Sequence, residues 1–140
     1  MSKSSSYVYF AFRGDFNPIE LTVRLGIEPT TTWKRGEGRY PSQRKSACWQ
    51  LETARGKEPV LIDKLVAEVI AKLEDKAELI LQLKQEFRLD SVLEIVLFVD
   101  MNEEASPPAL GHDVRTINFL ARTQTRTDVD LYRYDSRADE

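Results

Sequence analysis

The chain has 140 residues, 41% of them hydrophobic, and a globule of that length buries roughly two-thirds of its unfolded surface, enough for one core without disulfide or metal. Charged residues make up 31% and nearly cancel, to a net −3, which excludes a disordered acidic chain and a nonspecific coat on DNA. The single cysteine, Cys48, excludes an internal disulfide and a cysteine-rich zinc site, and His112 is the one imidazole available for nucleophilic chemistry.

Residues 1–6 are Ser-rich and read as a tail, with one lysine and no apolar run of the kind a secretory signal has. Residues 7–13 alternate: Val8, Phe10 and Phe12 share one face, Tyr7, Tyr9, Ala11 and Arg13 the other, a half-buried strand. In NPIELTVRLG, Asn17 is a helix cap, Pro18 suits the first helical position, Glu20 stands three after the cap, and Gly26 supplies a left-handed stop. Residues 30–45, TTTWKRGEGRYPSQRK, are too polar for a core and read as a connection. Ala47, Trp49 and Leu51 then alternate with Cys48, Gln50 and Glu52 as a second strand.

From Val60 to Phe87 the pattern is helical. Leu61, Leu65, Val69 and Leu73 step by four; Leu79, Ile80, Leu83 and Phe87 form a second stripe. Asp75 with Glu78 has the form of a capping box, so two helices with a break at residues 74–75 are expected. Residues 92–99, VLEIVLFV, are the most apolar strand; they are too short to span a bilayer and contain Glu94. With no membrane segment and no signal, a cytoplasmic protein is expected. DMNEEASPPALG reads as a loop, Val114, Ile117, Leu120 and Ala121 as a helical stripe, and Val129 and Leu131 alternate with Asp128, Asp130 and Tyr132 as a last strand. Residues 136–140 read as a polar tail.

This order predicts a single α+β domain over residues 7–135. It is expected to be a two-layer sandwich: a four-stranded sheet with helices on one face, in two strand–helix–strand units joined by two helices, a ferredoxin-like variant.

Within residues 30–45, Lys34, Arg35, Arg39, Arg44 and Lys45 face only Glu37 and the nearby Glu28. KRGEGRY fits neither phosphate-binding glycine pattern. Trp33, Lys34, Arg35, Gly36, Arg39 and Tyr40 make the best landing surface for a protein partner, since Trp, Tyr and Arg are the usual anchors. The bland alternative is a solvated loop paired with the acidic DMNEE segment. Asp15, Asp128, Asp130 and Tyr132 form a candidate polar cluster. Asp128 and Asp130, two apart on a strand, share a face, and a cation would need Asp15 or Asp100 as a third carboxylate; otherwise they guard a solvated edge. Cys48 with His112 lacks any indicated geometry and reads as a small buried hydrophobe and a residue near a helix cap. The stripes of the two long helices pack on the sheet or form a homodimer surface.

Taken together, FRGDFNP, LGIEPT, the Gly-bearing basic loop, WQLE and DVDLY come in an order that resembles the domain of unknown function family 4279, small bacterial domains, over residues 7–134. The resemblance implies an intracellular bacterial α+β domain with no assigned reaction. Its matching positions are Leu25, Gly26 and Pro29 at the helix stop, Trp49 in the core, and Gly36, Asp130 and Tyr132 with a surface role. Similar small domains serve as toxin-neutralising immunity proteins, so the expectation is a non-catalytic protein-binding module of that type, without cofactor or metal. Two alternatives remain. One is a metal-dependent hydrolase on Asp15, Asp100, Asp128 and Asp130; the other is weak single-stranded nucleic-acid or nucleotide binding through the basic loop, which the net charge disfavours.

Overall fold

In a computed structural model of the chain, which describes residues 6–53, 61–102, 104 and 110–139, β1 (Tyr7–Gly14) is the middle strand of a five-stranded sheet. The further elements are α1 (Pro18–Leu25), β2 (Thr31–Trp33), β3 (Ala47–Glu52), α2 (Ile62–Leu73), α3 (Ala77–Phe87), β4 (Asp90–Asp100), α4 (Val114–Thr123) and β5 (Arg126–Tyr134). Residues 1–5, residues 54–60 with Val60, and residues 103 and 105–109 of the acidic segment lie outside the described residues. Among the described residues no helix is long and apolar enough to cross a membrane.

The spatial order is β2-β3-β1-β4-β5, with every pairing antiparallel except β4 with β5. The α+β sandwich is as expected; the strand count is not. The fifth strand, β2, lies inside the stretch read as a loop. Its three residues are too few to show alternation, and they are fixed by pairing to residues 48–50 of β3. The ferredoxin-like description is also corrected. That arrangement splits each strand–helix–strand unit by a strand of the other. Here β1 lies beside β3, and β4 beside β5, so the two units abut.

Alternation then sorts the side chains. Val8, Phe10 and Phe12 of β1, Trp49 and Leu51 of β3, and Leu93, Ile95 and Leu97 of β4 face the helices. There they meet Leu21 and Leu25 of α1, Val66 and Ile70 of α2, Ile80 and Leu83 of α3, and Phe119 of α4. Each such apolar side chain contributes about 1.5–3 kcal/mol of transfer free energy. Trp49 also satisfies its indole, donating from Nε1 to Thr22 Oγ1 at 3.1 Å.

The first helix starts and stops as its sequence requires: Asn17 Oδ1 accepts from Ile19 N at 3.0 Å, Pro18 opens it, and Gly26 closes it at φ 74°. The break between α2 and α3 falls at a 3-10 turn over Glu74–Lys76. The Asp75–Glu78 capping box does not form, because α3 begins at Ala77, after Lys76, with no side-chain cap. The stripe expected on α4 is rotated. Asp113 caps the helix through Thr116 N at 2.8 Å, and Thr116, Phe119, Leu120 and Thr123 are buried while Val114, Ile117 and Ala121 are exposed. The phenyl ring of Phe119 carries more apolar area than either β-branched residue and decides which side of the helix turns inward.

Candidate functional site

Among the described residues, helices α1 to α4 pack on one side of the sheet, so the opposite face carries the other half of each strand's alternation. At its centre, Ala11, Cys48 and Val92 form a small second core, with Tyr9 and Trp33 packed against it. Burial pushes the Cys48 thiol up from its ordinary pKa. Around this core stand Arg13 and Gln50, and towards β5 the face continues through Glu94, Phe98 and Tyr132. Phe98 stacks on Tyr132 with centroids 5.2 Å apart, and Tyr7 on Tyr9 at 6.3 Å.

The chemistry of this face centres on Glu94. It stands opposite Asp128 in the parallel β4–β5 pairing, and Asp130 is the next residue of β5 on the same face, opposite Val96. One carboxylate oxygen from each of Glu94, Asp128 and Asp130 lies within 4.8 Å of the other two. Glu94 is buried to 4% relative exposure and its Oε2 has no hydrogen-bond partner. Burial, a proton shared with Asp128 and the charge of Asp130 hold its carboxyl up at a pKa of about 7. On its other side is Tyr9, whose phenol is pushed up to about 12 by burial and by Glu94. Arg13 Nη2 donates to Tyr9 Oη at 3.4 Å, and Arg126 is committed to Asp90. Among the described residues no lysine or arginine forms an ion pair with the three acids. Three converging carboxylates of this kind hold a proton or a hard cation.

Of the expected polar cluster, Asp128, Asp130 and Tyr132 lie on this face of β5, and Asp15 does not join them. Asp15 follows the end of β1, six residues past Tyr9, or roughly 20 Å along an extended strand. Asp100 is at the opposite end of the sheet, where it accepts from the backbone N–H of Asn102 and Ser136 at 3.0 and 3.1 Å, bonds that lower its pKa. The third acid is Glu94. Its signal in the sequence is a carboxylate inside VLEIVLFV, where a core strand has no use for one.

Residues 30–45 form a hairpin between β2 and β3. Gly36, at φ 75°, donates to Arg44 O at 2.8 Å, and Glu37 Oε2 accepts from Lys34 N at 2.6 Å. Trp33 is half-buried: Nε1 donates to Ser46 O at 3.2 Å, and the Arg44 guanidinium covers its ring at 4.6 Å. Trp33 therefore closes the second core, and Gly36 serves the turn. Lys34, Arg35, Arg39 and Tyr40 are exposed at the rim, with Arg39 over the Tyr40 ring.

Cys48 and His112 do not form a pair. Cys48 is on β3, and His112 Nε2 is 3.2 Å from Thr127 Oγ1 on β5, three strand spacings away, roughly 14 Å. A shallow groove on the helix side is lined by Glu74, Arg115, Phe119 and Arg122, with Arg115 paired to Glu74, and it holds no nucleophile with a base.

Neither a curated protein nor a solved structure matches the chain. A family model does: the domain of unknown function DUF4279 matches residues 4–134, nearly the whole length and including every residue of the helix-free face, and the chain belongs to that family.

Proposed function

We propose that this domain is a non-catalytic protein-binding module that receives a basic partner on the helix-free face of its sheet. The observation that carries this reading is the composition of that face: Tyr7, Tyr9, Trp33, Phe98 and Tyr132 beside an acidic trio that no cation of the described residues pairs. Aromatic side chains on an uncovered surface with a polar rim are the composition of interface centres. Lys34, Arg35, Arg39 and Tyr40 then contribute as rim, and Trp33 as a fixed wall. An immunity-type inhibitor in a bacterial cytoplasm is the most specific form of the reading. Its acidic aromatic face would cover the basic substrate surface of a toxin. A nucleic-acid strand crossing from Trp33 would instead meet three carboxylates, which favours a protein.

The test is capture of a partner on the immobilised domain, followed by dissociation constants for two variants. Tyr132→Ala with Gln50→Arg, two face positions outside the carboxylate trio, should weaken binding at least tenfold. Lys34→Glu with Arg35→Glu and Arg39→Glu should weaken it less. Unchanged affinity in the face variant would sink the proposal.

A further inference from the structure

We infer that Glu94, Asp128 and Asp130 bind a hard divalent cation of calcium's size on the helix-free face of the sheet. The backbone sets the site. Parallel register places Glu94 beside Asp128, and the two-residue period of β5 adds Asp130 on the same side. The three oxygens lie within 4.8 Å of one another. Calcium accepts several carboxylates in a flexible sphere at metal–oxygen distances of about 2.3–2.6 Å, whereas magnesium demands near-ideal octahedral geometry at about 2.0–2.1 Å, which three side chains fixed by strand register are not arranged to give. All three donors are carboxylate oxygens, the set that hard cations prefer and that zinc or copper does not select.

An acidic cluster alone is common on protein surfaces. Glu94 sets this one apart, because its side chain is buried to 4% relative exposure, with Oε2 unpartnered and its carboxylate directed at the two aspartates. A buried carboxylate oxygen without a partner is costly, and a cation held with Asp128 and Asp130 supplies one to Oε2. Asp128 is exposed and Asp130 half-buried, so the remaining coordination positions open to water. Tyr9, opposite Glu94, makes the outer wall. Three carboxylates with several waters give a modest affinity, on the order of 10⁻⁴–10⁻³ M. The inference stands on carboxylate geometry, and failure of either this site or the partner reading leaves the other intact.

Terbium, a luminescent stand-in for calcium, tests it at pH 8 with excitation of the Tyr and Trp side chains. Terbium emission should appear and saturate, and calcium should displace it at lower concentration than magnesium. Glu94→Gln should weaken terbium binding at least tenfold, as should Asp128→Asn with Asp130→Asn. The aspartate variant lies on an exposed edge strand, so it decides the matter even if Glu94→Gln disturbs the fold. Absence of sensitised emission overturns the site, and so does emission that the aspartate variant retains. Displacement by magnesium at or below the calcium concentration overturns the assignment of size.

Discussion

Glu94 of β4 stands between Tyr9 of β1 and Asp128 of β5, a carboxyl with 4% relative exposure set in the most apolar strand of the protein. Leu93 and Ile95, its neighbours along the chain, point into the main core on the other side of the sheet. An acid here costs stability whenever it is charged without a counter-ion, so its presence joins the strand's structure to what the face does.

In the presence of a chelator, that cost makes stability depend on pH. Folding raises the Glu94 pKa from its ordinary 4.5 to about 7, because it is buried and faces Asp128 and Asp130 from β5, with Arg13 of β1 opposing and Tyr9 neutral. A raised pKa means that the folded protein holds the proton more tightly. The stabilising contribution is therefore fully present below pH 4.5 and is lost as pH rises through about 7. Glu94→Gln should remove this dependence and be more stable than the parent at pH 8, by on the order of 1–3 kcal/mol. Urea titrations of both proteins at pH 5 and pH 8 check it; parallel changes in the two would show that Glu94 is not the group responsible.

Trp33 and Arg44 close the second core over Cys48, which has no solvent exposure. Trp33→Ala should expose the thiol and raise its rate of reaction with a disulfide reagent at least tenfold, and should cost about 1–3 kcal/mol of stability. Arg44→Ala removes only the cation above the ring and should cost about 0.5–1 kcal/mol. An unaltered thiol rate in Trp33→Ala would mean that other side chains shield Cys48.

Gly38 and Gly36 separate backbone strain from crowding. Both have positive φ, 104° and 75°, but a Cβ on Gly38 would stand 3.1 Å from Arg44 Nη1, whereas nothing lies within 4 Å of one on Gly36. Gly36→Ala should cost about 1 kcal/mol for its backbone alone. Gly38→Ala should cost more, on the order of 1–3 kcal/mol, and should also disturb the Arg44–Trp33 stack. Thermal melts, with tryptophan fluorescence as reporter of the stack, compare them; an equal cost would show that Arg44 simply moves aside.

What was legible in the sequence follows how local its cause is. Both ends of α1 were, because Asn17, Pro18 and Gly26 act on backbone within a few residues. So was the sorting of β1, where alternation puts Phe10 and Phe12 on one face and Tyr9 and Ala11 on the other. Strand β2 was not, since Thr31, Thr32 and Trp33 become a strand only when Gln50, Trp49 and Cys48 lie beside them. The carboxylate trio failed for the same reason in the candidate site. Asp128 and Asp130 are neighbours by period, but Glu94 joins them only through a pairing across 34 residues of chain. Asp15 and Asp100, the acids that were expected to join them, belong to the two ends of the sheet.

Helix α4 shows a third kind of illegibility, since two stripes compete on one short segment. Val114, Ile117, Leu120 and Ala121 fit a helical period, and so do Thr116, Phe119, Leu120 and Thr123, which are the residues the fold buries. Phe119 is 1% exposed, with its ring 6.0 Å from Phe10, whereas Val114 is 71% exposed. Two hydroxyls make the buried choice tolerable: Thr123 Oγ1 donates to Phe119 O at 2.9 Å and meets Thr125 Oγ1 at 2.7 Å. Phe119→Ala should therefore cost about 3–5 kcal/mol, the loss of a buried ring together with the cavity it leaves. Val114→Ser, far from any packing, should stay within about 0.5 kcal/mol of the parent. Chemical denaturation of the two variants measures the difference directly. A large cost at Val114 with a small one at Phe119 would mean that α4 turns its other stripe to the sheet, and would withdraw Phe119 from beside Phe10.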